Sequence, residues 1–315
     1  MYYKGEKVMK QENKIRSEII LKLIALVLGI CVIVGISVID VDKYAKQEIE
    51  LTQLQDNSSR QMMGYIIKTS TGKVIVIDGG LNEDEPNLVK HIQELGNKVD
   101  VWFITHPHED HASAIIRVIQ ETDIPIEKIY YTMNDLDWYK KYATERAGEA
   151  ERFYNALQNE RVKGKSEEVT LNQIINIDFI KCEILGVKNP EITNNGFNNS
   201  SMVIKMNLPQ TSILFLGDTG EESGDKLLST QKDKLKSDIV QVAHHGQGGA
   251  KESLYKEINP TICLWPTTEW LWDNNSGEGK GSGPWTTLET RKWMEDLGVK
   301  QNIIEKDGDT TITVK

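Results

Sequence analysis

The sequence predicts an α/β protein in which two β-sheets pack face to face with helices outside, preceded by one membrane-spanning helix. Three observations carry this expectation. Strand-like and helix-like segments are interleaved through both halves of residues 60–315, the pattern of a layered α/β domain. Histidines and aspartates recur directly after strand-like runs, at Asp78, His106, Asp218 and His244. Ile19–Ile39 reads IILKLIALVLGICVIVGISVI, with Lys22 as its only charge.

At about 1.5 Å per residue that run covers roughly 31 Å, enough to cross a hydrocarbon core of about 30 Å. Lys4, Lys7, Lys10, Lys14 and Arg16 precede it, whereas Asp40, Asp42, Glu48 and Glu50 outnumber Lys43 and Lys46 after it. Positive charge stays in the cytoplasm, so residues 1–18 read as a cytoplasmic tail and everything beyond residue 39 as extracytoplasmic. A cleaved signal peptide is the alternative, but the run is long and GISVID lacks a small-x-small cleavage site. Ile30 before Cys31 argues against a lipoprotein anchor. Residues 40–59 then form a stalk leading into a first strand, and 60–315 a single domain.

Within that domain, GYIIKTSTGKVIVIDGG (64–80) reads as two β-runs around a turn at Ser70–Lys73. A helix follows over 85–96, with Pro86 in its first turn and Gly96 at its end. VDVWFIT (99–105) is a strand, ASAIIRVIQ (112–120) a helix, and 136–160 an inserted helical segment. Strands are expected at 178–187, 201–207 and 211–217, the last two joined as a hairpin through Leu208–Gln210. Helix 221–235 leads to strand 238–243, and a helix near 250–257 to strand 261–265. Thr286 and Glu289 have capping-box spacing for a helix over 286–297 that stops at Gly298. A hairpin turning at Asp307–Gly308 ends the chain.

Removing the six Lys/Arg and four Asp/Glu of residues 1–40 leaves 31 against 43, a net charge of −12 outside the membrane. Such a field disfavours broad nucleic-acid binding, although a nucleic-acid substrate held in a local groove stays open. Cys182 and Cys263 lie in apolar strand-like segments and read as buried free thiols.

The chemistry concentrates in THPHEDH, residues 105–111. His106 and His108 stand two apart beyond a strand, so extended geometry points both side chains the same way. Asp110 and His111 follow where the chain turns into a helix, aimed from another direction. Two pairs from one turn suit two adjacent cations better than one. Imidazoles and carboxylates fit Zn2+, Mn2+ or Fe, and the absence of nearby cysteine argues against a structural zinc knot. ILFLGDTG puts Asp218 after an apolar strand, where a carboxylate would bridge two ions. IVQVAHHGQGG offers His244 and His245, and VIVIDGG offers Asp78 to orient a ligand histidine. His91, on a surface helix, reads as structural.

His-x-His-x-Asp-His after a strand, an Asp before Gly-Gly, a later Gly-Asp and a final His-His-Gly resemble the metallo-β-lactamase superfamily. NNSSMVIKM, LFLGDTG and VAHHGQGG are similar to the hydrolase domain of the DNA-uptake competence family ComEC and its relatives. The resemblance covers residues 60–265 and implies an αββα sandwich with a dinuclear site at the strand ends. It implies His106 and His108 on one metal, Asp110 and His111 on the other, and Asp218 between them. By analogy His245 completes the set, while His244 contacts substrate or protonates the leaving group. Asp110 and His244 thus carry the catalytic assignment. Most superfamily members have a further histidine midway, but none stands here between residues 111 and 244. Asn198 and Ser201 occupy that place, next to the metals or the substrate. With fewer nitrogens on the first metal, Zn2+ is the first expectation and Mn2+ its rival.

Two cations in such a site favour hydrolysis. No G-x-S-x-G elbow is present, and neither external cysteine has a local partner. The resemblance favours a phosphodiester of the cell envelope, a small molecule or nucleic acid. A lactone, ester or amide is the alternative substrate, and a metal-binding module without catalysis the alternative class. Trp270 and Trp272, beside the Gly-rich stretch NNSGEGKGSG, are candidates for an aromatic pocket wall, and Trp293 for core. For the anchor, protease added to intact cells is expected to digest the domain and spare an N-terminal tag. Digestion only after lysis would reverse the topology.

Overall fold

The first sheet contains β1 (Ile49–Gln53), β2 (Gly64–Thr69), β3 (Val74–Asp78), β4 (Val101–Ile104), β5 (Ile129–Tyr131) and β6 (Ser166–Glu168). The second contains β7 (Ile174–Ile177), β8 (Ile180–Gly186), β9 (Val203–Asn207), β10 (Ser212–Phe215), β11 (Ile239–Gln241), β12 (Ile262–Trp265) and β13 (Gln301–Ile304). The last strand, β14 (Thr310–Val314), returns to the first sheet. The orders are β14-β1-β2-β3-β4-β5-β6 and β13-β12-β11-β10-β9-β8-β7. This computed structural model describes residues 47–315, together with Lys22. The span expected at Ile19–Ile39 therefore lies outside the described residues apart from Lys22, and no described helix is long and apolar enough to cross a membrane.

The strand sequences show why there are two sheets. β3 is buried at every position, so both of its faces must be covered. Ile75 and Ile77 point into the core between the sheets, while Val74 and Val76 point to the core beneath the helices. β4 divides in the same way, with Val101 and Phe103 inward and Trp102 and Ile104 outward. A period of two makes this split automatic, and parallel strands covered on both faces read as uninterrupted apolar runs. In the second sheet, Ile213 and Phe215 of β10 face the first sheet, and Leu214 faces outward.

Helices α1 (Glu85–Glu94), α2 (Glu109–Glu121), α3 (Leu136–Tyr142) and α4 (Ala147–Leu157) cover the outside of the first sheet. Further on come α5 (Glu221–Gln231), α6 (Glu252–Ile258), the short α7 (Glu269–Trp272) and α8 (Thr287–Asp296). Of these, α5, α6 and α8 cover the second sheet through Leu227, Leu254 and Met294. The result is the expected layering of helices, sheet, sheet and helices.

Three expectations change. The terminal strands do not form a hairpin: β13 runs parallel to β12, while β14 pairs antiparallel with β1. The chain crosses between sheets in a 3-10 turn at Glu305–Asp307, and Gly308 takes φ 96°. Asp-Gly marked the turn correctly, but two open sheet edges compete for the flanking strands and each takes one. Of the stretch read as stalk, 40–59, Ile49–Gln53 forms β1, which sits between β14 and β2, while residues 40–46 lie outside the described residues. The inserted helical segment is two helices with a break at residues 143–146 that later matters to the cavity.

Cys182 faces the core between the sheets and Cys263 the opposite face of the second sheet, so no bond can join them. Burial pushes both thiols up to about 12. Ellman's reagent is therefore expected to modify neither in the folded protein and both once it unfolds. Rapid modification of native protein would place a thiol at the surface.

Candidate metal centre

The site is built from the β3–β4 pair upward. The strands run parallel, with Ile77 opposite Phe103, and both end at the same edge of the sheet. Asp78 is fully buried there, and its Oδ1 accepts from the Thr105 backbone N–H at 2.7 Å. Its Oδ2 accepts from the Thr105 hydroxyl and from His111 Nδ1, both at 2.7 Å. Burial raises the Asp78 pKa, opposed by His111 and by the Thr105 hydrogen bonds. With Nδ1 committed, His111 turns Nε2 toward the centre, as expected of a residue oriented by a buried carboxylate.

His108 is the extended N-cap of α2, and Asp110 lies in that helix's first turn, where a carboxylate also faces the positive end of the helix. His106 and His108 bring Nε2 and Nδ1 to within 3.0 Å of each other. Phe197 stacks on the His108 ring at 4.4 Å and 14°. On the second sheet, Asp218 follows β10 after Gly217, whose φ is 55°. A Cβ at Gly217 would lie 3.0 Å from Thr105 and 3.1 Å from Ser201, so the two strand ends approach closely only with glycine there. The Ser201 hydroxyl accepts the Asp218 N–H at 3.0 Å and lies 3.4 Å from His106 Nδ1.

After β11 the chain leaves extended geometry, with His244 at φ 51° and His245 at φ 53°. That break decides between the two rings. His245 donates from Nδ1 to the Pro266 carbonyl at 2.7 Å and turns Nε2 inward. His244 is diverted to Asn198, with Nε2 2.9 Å from Nδ2, and its buried Nδ1 has no partner.

Asp218 is the common point. Its Oδ2 lies 3.3 Å from His111 Nε2, 3.6 Å from His245 Nε2 and 3.8 Å from His106 Nε2. Asp110 Oδ2 is 3.3 Å from His245 Nε2. Ligand atoms of Asp110, His111, Asp218 and His245 all lie within 4.8 Å of one another, as do those of His106, His108 and Asp218. His111 Nε2, His245 Nε2 and Asp218 Oδ1 are buried without hydrogen-bond partners, the condition a cation relieves. These six residues fit a metal site of nitrogen and oxygen donors.

The electrostatics agree. Burial holds the His106 pKa well below its usual range, helped by His111 and His108, and holds His108 down to about 3. Burial would lower His111 and His245 too, but Asp218 outweighs it, with Asp78 and Asp110 beside His111. His111 rises well above its ordinary value and His245 to about 10. Burial opposes charge on Asp110 and Asp218, yet His111 and His245 pull both carboxyls well down. Two buried carboxylates thus draw positive charge into the site, and a divalent cation would replace those protons.

The centre opens into a cavity of about 980 Å³ lined by Asp110, His108, Asn198, His244, Arg146 and Trp270, among others. Trp270 lines this cavity, whereas Trp272 does not. Its ring packs against Trp265 at 5.2 Å with Arg291 stacked 3.9 Å over it, because one short helix points the two tryptophans to different sides. Trp293 joins the core outside the second sheet. His91 lies apart, its Nε2 2.9 Å from Asp309. Phe197 and Gln61 escaped the sequence reading because neither belongs to a ligand motif.

The family model of the metallo-beta-lactamase superfamily matches residues 63–247, from β2 through the His244–His245 turn. The chain belongs to this superfamily. It is a metal-dependent hydrolase with a buried His/Asp site. It is 26% identical over 211 residues to ComE operon protein 3 of Bacillus subtilis, in keeping with the ComEC-like motifs. That match covers 61% of this chain and 25% of the relative, so the chain spans about a quarter of that protein's length. Among solved structures, YhfI of Bacillus subtilis, a metallo-β-lactamase fold protein, superposes with TM-score 0.51 at 12% identity, covering 85% of this chain and 100% of that one. CmlA, a diiron β-hydroxylase of Streptomyces venezuelae, gives TM-score 0.54 at 11% identity over 85% of this chain and 54% of that one. These two likenesses concern the fold.

Asp78→Ala removes the acceptor that aims His111, and metal affinity is expected to fall about 10–100-fold. His91→Ala is expected to leave it unchanged. Chelator-competition titration measures both, and equal affinities in all three proteins would remove Asp78 from the site.

Proposed function

We propose that this superfamily hydrolase is membrane-anchored and extracytoplasmic, uses two divalent cations, and cleaves a phosphodiester. The observation that carries the reading is the position of Asp218 Oδ2, within reach of histidines from both ligand groups. His106 and His108 would hold one ion, Asp110, His111 and His245 the other, with Asp218 shared. Zn2+ suits the imidazoles, and Mn2+ suits a first position that has only two nitrogens. Two such cations supply a hydroxide near neutral pH and stabilise the charge that grows on a phosphoryl oxygen.

The protein's own groups do the rest. Asp110 presents Oδ2 beside His245 Nε2, where the two would hold a cation together. His244 stands at the cavity wall, outside both ligand clusters and held by Asn198. From there it would protonate the departing oxygen. Arg60 and Arg146 line the cavity in ion pairs with Glu109 and Glu149, and Trp270 gives the substrate's organic part a flat apolar face. The ComEC-like motifs support a phosphodiester, while the acidic surface favours a small or envelope-derived one over nucleic acid. Anchoring rests on the Ile19–Ile39 run and its flanking charges.

Purified protein is to be assayed on bis-p-nitrophenyl phosphate beside a panel of lactones, esters and amides. Turnover of the phosphodiester supports the reading; turnover of the panel alone would replace it with the carbonyl alternative. Asp218→Ala is expected to lower occupancy of both metal positions. His245→Ala is expected to empty one of them, whereas His244→Ala keeps both and loses about 10²–10⁴ in rate. That loss is smaller with better leaving groups, and the reverse pattern would exchange the two histidines' roles.

A further inference from the structure

The ligands come from the ends of both sheets, and one loop bonds to a residue beyond each end, Asp110 after β4 and Gln247 after β11. Residues 54–63, between β1 and β2, lie over the start of α2. Arg60 pairs with Glu109, and the Met63 N–H donates to the Asp110 carbonyl at 3.0 Å. Between them, Gln61 Nε2 donates to Asp110 Oδ2 at 3.2 Å, the oxygen that also faces His245. On its other side Gln61 Oε1 accepts from Gln247 Nε2 at 3.1 Å. Trp270 pins the same loop from α7, its Nε1 donating to the Arg60 carbonyl at 3.1 Å.

The direction of this chain is fixed by its end. An ionised carboxylate only accepts, so Gln61 must present its NH2 to Asp110, and its oxygen is left for a donor. Gln247, two residues beyond His245, supplies that donor. The path Gln247 to Gln61 to Asp110 therefore links the turn carrying one ligand to the helix carrying another. Both glutamines are half-buried, so each can be replaced without opening the core.

We propose that Gln61 is a positioning residue of the metal centre, holding the Asp110 carboxylate toward His245 while Gln247 holds the Gln61 amide. The inference rests on the reading in which Asp110 and His245 share one metal position. It predicts that the two halves of the site are coupled through residues that bind no metal.

The test uses full-length protein in detergent with Gln61→Leu, Gln61→Glu, Gln247→Ala and Gln61→Leu/Gln247→Ala. Chelator-competition titrations with Zn2+ and Mn2+ and the visible spectrum of Co2+-loaded protein need no substrate, so they stand whatever the enzyme hydrolyses. Gln61→Leu is expected to weaken binding at the Asp110–His245 position about 10–100-fold and to shift the Co2+ bands, with Tm and the His106–His108 position nearly unchanged. Gln61→Glu keeps the shape but loses the donor, and is expected to be at least as impaired. Gln247→Ala should lose less and add nothing once Gln61 is gone. On a turned-over substrate, kcat should fall with little change in KM. Parent-like affinity and spectrum in both Gln61 variants would overturn the proposal. So would equal losses at both positions with a lowered Tm, or full additivity of the Gln61 and Gln247 effects.

Discussion

A carboxylate with no exposure to water must find donors inside the protein, and Asp78 finds three within 2.7 Å. An unsatisfied buried charge would cost several kcal/mol, so this arrangement leaves little freedom. It ties the end of β3 to the end of β4 and to the second residue pair of the α2 turn at once. The indole of Trp102 closes the same corner by donating to the Asp78 carbonyl at 2.8 Å. Strand spacing, the entry angle of α2 and the tautomer of His111 therefore have a single cause. His111 is not merely near its neighbours; it is aimed by a buried carboxylate that stands outside both candidate metal clusters.

The second sheet answers with a different device. Gly217 lets the end of β10 approach Thr105, and Ser201 holds the Asp218 backbone while facing the ring of His106. The left-handed pair at His244 and His245 then turns two adjacent imidazoles to different partners, Asn198 and the Pro266 carbonyl. On an unbroken strand they would have pointed to opposite faces, one of them into the outer core. Backbone strain of this kind persists only where the surroundings demand it, and here the Pro266 carbonyl and Asn198 supply the demand.

Much of this was legible in the sequence for one physical reason. Strands buried on both faces leave unmistakable apolar runs, and polar residues at their ends can hardly serve the core. VIVID, VWFIT and ILFLGD thus announced both the layers and the site. β5 and β6, three residues each and outside any long apolar run, went unnoticed. The fate of β13 and β14 was set by which sheet edges stood open, a property of the whole fold that local turn chemistry does not encode. Trp270 and Trp272 show the same limit at smaller scale, since spacing of two says nothing about sides until the helix is known. Gln61 was invisible because an amide in a loop acquires meaning only from its neighbours.

The pairing of β1 with β14 also bears on how the protein comes into being. Ile49 lies opposite Val314, so the first strand of the domain waits for the last one to be made. During synthesis its outer edge is an open row of backbone donors and acceptors, available to any other chain. Closing a loop of that span is slow, and contacts so distant in sequence lengthen folding. The domain thus keeps its most adhesive edge open until β14 emerges, and assistance against aggregation matters most before that point.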